Sequence, residues 1–138
     1  NIEISDNFLT VGALNYVYGS ELLAEFSNYG KVHVDVFAPG VKIYATTPNN
    51  EYEFLSGTSM AAPSVSGVAA LIRSYYPELT ASEVKHILMD SGLNINKEVS
   101  IGGDASGMKM PFSETCKSGR MVNAYNALLL AKKVAAKK

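Results

Sequence analysis

The stretch Ser56-Gly57-Thr58-Ser59-Met60-Ala61-Ala62-Pro63 joins a short β-prone run at 52–55 to an apolar run at 65–72. The second run is too long and too rich in small residues to be another strand. The spacing therefore predicts strand, tight turn and helix, with Ser59 at the helix N-terminus. That placement suits a nucleophile. A hydroxyl is held at the end of a rigid element, and the first helical N–H groups have no internal partners. The helix dipole favours negative charge at the same point. The simpler reading is that Ser59 or Thr58 only caps the helix. A lone Gly-x-Ser would favour the cap; the whole heptapeptide favours the nucleophile.

Gly57-Thr58-Ser59-Met60-Ala61-Ala62-Pro63 resembles the nucleophile motif of the subtilisin-like serine peptidases, the subtilases. The resemblance extends through Val11-Gly12-Ala13, Phe26-Ser27-Asn28-Tyr29-Gly30, Ala38-Pro39-Gly40 and Gly119-Arg120-Met121-Val122-Asn123-Ala124. The string from Ala38 through Thr47-Pro48 to Pro63 keeps the family's spacing. An α/β-hydrolase elbow ends in Gly where this chain has Ala61. Two departures stand out. Ser64 replaces the family's usual His after the motif proline, and Asn49-Asn50 stands where relatives often have Gly.

The resemblance implies an α/β fold of three layers, with a mainly parallel sheet and a buried central helix starting at the nucleophile. It implies a Ser-His-Asp peptidase with Ser59 as nucleophile. The Ser59 N–H would supply half of the oxyanion hole and Thr58 would support it. Met60 would lie against the nucleophile, where its oxidation would matter. Leu55, Ser56 and Gly57 would line the substrate cleft, and Phe26 would wall its leaving-group side. The family places its Asp, its His and its oxyanion-hole Asn before the segment that Phe8 begins to match. Only Asp6, Asp35 and His33 precede Ser59 among the aspartates and histidines, and none sits in those motifs. A serine without a base is a weak nucleophile.

The expectation is therefore that residues 1–138 are the C-terminal part of a peptidase catalytic domain, inactive alone, whose first partner is the N-terminal part of that domain. Protein or peptide substrates are implied, and a secreted, periplasmic or cell-surface location. A non-catalytic module that binds peptides or proteins in the old cleft is the alternative; a lipase-like hydrolase is a weaker third.

The rest of the chain sets bounds. At 138 residues, 47% hydrophobic and 18% charged, it suits one globular domain or one piece of one. A net charge of −1 implies no general attraction to nucleic acid or anionic membrane. Lys132, Lys133, Lys137 and Lys138 suit a solvated helix C-terminus. Cys116 is the only cysteine and reads as an ordinary free thiol. No cofactor and no metal site is expected; the Gly-rich loop at 102–107 has too few carboxylates for calcium. No run is long enough to span a membrane.

Along the chain, 1–7 reads as a frayed or truncated end, 8–13 as a buried strand and 15–25 as a surface excursion. Residues 32–37 alternate strictly and read as a strand with His33 and Asp35 on one face, structural rather than catalytic. Residues 41–46 and 52–55 read as strands around a Pro48-Asn49-Asn50 turn. Thr80-Ala81-Ser82-Glu83 is a capping box opening a helix with Val84, Ile87 and Leu88 inward; His86 reads as its exposed histidine. Asn123 should cap a last helix, Ala124–Ala135. Strands without partners would leave apolar surface exposed and favour self-association through it.

Overall fold

The computed structural model describes residues 6–103 and 107–138. Four short strands form the main sheet, in the order β1 (Val11–Leu14), β2 (Val36–Pro39), β8 (Arg120–Met121) and β5 (Leu93–Asn94). β1 and β2 run parallel in register from Val11 opposite Val36 to Leu14 opposite Pro39. β8 continues the parallel direction, pairing Met121 with Phe37, and β5 adds an antiparallel edge. Two hairpins stand apart: β3 (Ile43–Thr47) with β4 (Glu51–Leu55), and β6 (Glu98–Ser100) with β7 (Lys109–Pro111).

The sheet separates two cores, because alternate strand residues point to opposite faces. Ala13, Val36 and Ala38 face α1 (Thr58–Tyr75), α2 (Ala81–Asp90) and α3 (Ala124–Ala135). Leu14 and Phe37 face the other way, onto Leu22, Leu23, Val99, Phe112 and the buried Cys116. Helices, sheet and a loop-and-hairpin layer thus make the mixed α/β architecture that the sequence pattern implies. The segment at 93–117, which carried no element signal beyond its glycine loop, holds β5, β6, β7 and a 3-10 turn at Phe112–Glu114. Asp104, Ala105 and Ser106 of that loop lie outside the described residues.

The helices form where their signals sit. Thr80 Oγ1 accepts from the Glu83 N–H at 3.2 Å, and the Thr80 N–H donates to Glu83 Oε2 at 2.7 Å, closing the capping box of α2. Asn123 Oδ1 accepts from the Asn126 N–H at 2.8 Å and starts α3. The Lys138 ammonium reaches back to Glu83 at 2.7 Å, tying the end of α3 to the start of α2. The turn between β3 and β4 puts Asn49 at φ 68° and Asn50 at φ 61°, the left-handed region that asparagine tolerates.

Three expectations are corrected. The first is the strand at 32–37: β2 begins only at Val36. Gly30, at φ 118°, turns the chain, and its carbonyl accepts from the N–H groups of His33 and Val34. Val32 is left 84% exposed while Val34 is buried, so the alternation reflects two environments rather than one pleat. His33 and Asp35 therefore share no strand face. The second is α1, expected to be buried all round. Ala61, Val65 and Ile72 are buried, whereas Ala62, Ser66, Gly67, Ala70 and Leu71 are exposed. Its described neighbours β1, β2, α2 and α3 cover only one side. The third is the described part of the start read as frayed: residues 1–5 lie outside the described residues, and Asp6 is held to α2 by Ser82, by His86 at 2.9 Å and by Lys85 at 3.4 Å.

One glycine couples sheet and helix. A Cβ on Gly40, just past β2, would lie 2.7 Å from Ala13 Cβ, 2.8 Å from the Gly57 carbonyl oxygen and 3.2 Å from Ala61 Cβ. All three neighbours are backbone or backbone-fixed atoms that cannot step aside. Gly40→Ala should cost about 1–3 kcal/mol through overpacking, read as a lower urea midpoint. A second expectation concerns pH. The Lys138 ammonium, and then the Thr80 N–H, hold the Glu83 carboxyl below the usual carboxylate range. The fold thus gains stability above the ordinary Glu range and loses it as pH falls through the lower folded value. Glu83→Gln should flatten the decline of the urea midpoint between about pH 5 and pH 3.

Candidate active site

The turn before α1 is built by Gly57. Its N–H donates to the Gly40 carbonyl at 2.8 Å. Its own carbonyl accepts from the N–H groups of Met60 at 3.0 Å and Ala61 at 3.3 Å, closing the first helical turn. Its φ of 157° lies where side chains are disfavoured, and a Cβ there would lie 2.9 Å from Ser59 Oγ. Only glycine leaves the Ser59 hydroxyl room to stand over the turn. Gly57 is also the N-cap of α1, and no side chain caps the helix. The capping reading of Ser59 and Thr58 is therefore set aside: neither hydroxyl is spent on the backbone.

Thr58 and Ser59 occupy the first two positions of an 18-residue helix, so their N–H groups have no intrahelical acceptor. Pro63 has no N–H to offer the Ser59 carbonyl. Ser59 is exposed, with Thr58 and Met60 half-buried beside it. The dipole of α1 adds partial positive charge at this point. Among the described residues nothing engages the exposed Ser59 hydroxyl or the two N–H groups beside it, an arrangement that can attack a carbonyl once a base takes the proton and can hold the resulting oxyanion.

The other cleft residues predicted from sequence gather at the same end of the sheet. Leu55 closes β4 opposite Ile43. Ser56 Oγ accepts from the Lys42 N–H at 2.9 Å. Phe26 is exposed at the far end of β1, where the neighbouring Ser27 Oγ accepts from the Ala13 N–H at 2.9 Å and donates to the Asn28 carbonyl at 2.9 Å. Ala13 in turn touches the space beside Gly40. All of these stand past the carboxyl ends of the parallel strands β1 and β2, where open α/β sheets place their ligands.

The histidines and early aspartates lie elsewhere. Asp35 is buried at the amino end of β2, accepting from the Thr10 N–H at 2.9 Å and the Thr10 hydroxyl at 3.1 Å. A four-residue strand separates that end from Gly40 and the Ser59 turn, roughly 10 Å or more of backbone. His33 is exposed on the turn before it. Asp6, His86 and Ser82 are the right three residue types in the wrong order: Asp6 Oδ2 bonds both the hydroxyl and the imidazole. A relay needs the imidazole between the other two. Ser82, then His86, hold the Asp6 carboxyl at about 2, so it stays an acceptor.

Sequence reasoning missed one partner of the site. Lys42 adopts φ 52°, and its ammonium lies 2.9 Å from the Tyr16 hydroxyl and 4.4 Å from the ring centroid. The two residues are 26 positions apart, and neither carries a local signal.

Known proteins share this architecture. The sequence profile described as Subtilase family, Peptidase S8, matches residues 3–123. Subtilisin DY of Bacillus licheniformis is 44% identical over 90 residues, covering 65% of this chain and 31% of the relative. A thermophilic serine proteinase of a Bacillus species is 51% identical over 69 residues, covering 50% of this chain and 16% of the relative. A chain solved for the assembly of subtilase cytotoxin SubAB superposes with a TM-score of 0.69 at 29% identity, over 92% of this chain and 37% of that one. The chain thus spans about a third or less of the curated relatives it matches. A match from residue 3 to residue 123 takes in every strand from β1 to β8 and the Ser59 turn between them, and the chain belongs to the subtilase family.

Proposed function

We propose that this chain is the nucleophile-bearing, C-terminal part of a subtilisin-like serine endopeptidase. Ser59 attacks the scissile carbonyl of a protein or peptide substrate. The observation that carries this reading is the Ser59 hydroxyl itself: exposed, uncapped, and set beside two free N–H groups. The Ser59 N–H takes the oxyanion and Thr58 keeps the turn in shape. Met60 packs against the nucleophile. The backbone of Leu55, Ser56 and Gly57 lines the cleft, and Phe26 walls the leaving-group side.

Hydrolysis also needs a base to take the Ser59 proton and return it to the leaving amine. His33 and His86 stand away from Ser59, so the imidazole and its aspartate come from the remainder of the domain, together with the second oxyanion donor. That remainder is the chain's first partner. Two features support it. The outer face of α1 is small and apolar yet exposed, and it borders a groove of about 320 Å³ lined by Leu9, Val11, Val65, Ala69, Val84 and Leu88. β1 is also an edge strand of the sheet, and among the described residues only the chain at 22–24 bonds backbone to backbone along its outer side. Without a covering part, the same surfaces favour self-association. A secreted, periplasmic or cell-surface location follows from the habit of the family; no described helix is long and apolar enough to cross a membrane.

Fluorophosphonate labelling tests this. The full-length protein should label through Ser59 and lose labelling in Ser59→Ala. The 138-residue chain alone should label at least about a thousandfold more slowly. Equal labelling of the isolated chain would mean a base lies within it; no labelling of either would leave a non-catalytic binding module. Peroxide should lower the turnover of the full-length protein, and Met60→Leu should protect it, since sulfoxide adds polar bulk beside Ser59.

A further inference from the structure

We propose that Lys42 is a specificity-determining residue of this cleft, presenting a fixed positive charge to an acidic side chain on the leaving-group side of the scissile bond. The inference rests on the peptidase reading above and goes beyond it. Lys42 lies two residues past Gly40, beyond the carboxyl end of β2, where its backbone N–H meets Ser56 at the entry to the Ser59 turn. A lysine at φ 52° is strained, and such strain persists only where the surroundings hold it. Here they hold it from both ends. The backbone N–H is fixed to Ser56 Oγ at 2.9 Å; the ammonium is fixed to the Tyr16 hydroxyl at 2.9 Å and over its ring at 4.4 Å.

Among the described residues no carboxylate engages the charge so placed. Among the described residues Asp6 engages Lys85 and His86, Glu83 engages Lys138, Glu114 engages Lys31, and Asp35 is spent on Thr10. Lys42 has no carboxylate partner. Tyr16 takes one of its three N–H donors, leaving donors for a ligand. The same excursion that brings Tyr16 also sets Tyr18 under Lys97, 4.5 Å from the ring centroid. A carboxylate in an extended peptide is the ligand that this chemistry fits. Ser56 stands three positions before Ser59, just past the end of β4, so the contact falls within a few residues of the scissile bond.

The bland alternative is that the Lys42–Tyr16 pair only braces the base of the hairpin. The two roles separate in one experiment. Internally quenched peptides carrying Glu, Gln or Lys at the second and third positions after the scissile bond are given to the full-length protein, and kcat/KM is compared. Wild type should prefer Glu over Gln by about two- to fivefold, as expected of an exposed ion pair, and the preference should shrink at about 0.5 M salt. Lys42→Met should remove it, Lys42→Glu should invert it, and Lys42→Arg should restore it. If Gln peptide is cleaved but the order Glu, Gln, Lys is the same in Lys42→Met and wild type, the inference is overturned and the peptidase reading stands. A bracing role would lower the melting temperature of Lys42→Met without moving the ratio, and that too overturns it. If no peptide is cleaved by any variant, both readings fall together.

Discussion

The hydrogen bond from the Gly57 N–H to the Gly40 carbonyl, 2.8 Å long, joins the sheet to the reactive turn. Everything near Ser59 depends on it. A strand ends at Pro39, and the chain must leave it, run through a hairpin and return to start α1 against the same strand end. That return is possible only if backbone meets backbone without side chains between. Gly40 and Gly57 supply the bare backbone, and Ala13 and Ala61 supply small side chains on either side. A side chain at Gly40 would press on Ala13, Ala61 and the Gly57 carbonyl together, and one at Gly57 would press on Ser59 itself.

The helical layer is held by a different kind of constraint. α2 and α3 touch each other and α1 through alanines, valines and leucines, a non-directional attraction that fixes distance better than angle. Angle comes from polar ties at the helix ends. Thr80 and Glu83 close the start of α2, and Lys138 joins that closure to the end of α3. At the other end, Arg120 donates to Asn94 at 3.1 Å and to the Asp90 carbonyl, binding β8 to β5 and to the end of α2. The groove beside α1 lies in this layer, walled by Val65, Val84 and Leu88 of the same apolar core.

What the sequence disclosed was what is local. The capping box, the Asn123 cap, the Asn49-Asn50 turn and the Gly-Thr-Ser turn are each decided by a few adjacent residues, and each formed where it was read. The misreadings came from distance. Val32, Val34 and Val36 alternate like a strand, yet one faces solvent, one the loop-side core and one the helix-side core, after a turn set by Gly30. The apolar surround of α1 announced burial, but cover depends on what stands opposite, which no window of sequence contains. Lys42 and Tyr16 meet through the carboxyl ends of two different strands, so their pairing became visible only with the fold.

The short strands make this geometry vulnerable to register. β1 and β2 each have four residues, and their alternate side chains serve different cores. A slip of one residue would send Phe37 to the helix side and Val36 to the loop side. It would also move Gly40 away from Ala13 and break the approach to Gly57. The protein fixes register at both ends of the pair. Asp35 grips Thr10 through its carboxylate and through its own N–H at the amino end. Gly40 donates to the Leu14 carbonyl at 3.0 Å at the carboxyl end. The ring of Phe37 lies over Gly12, where any Cβ would collide with it. A buried aspartate far from Ser59 thus bears on the Ser59 turn after all, as the lock at the opposite end of the two strands that position it.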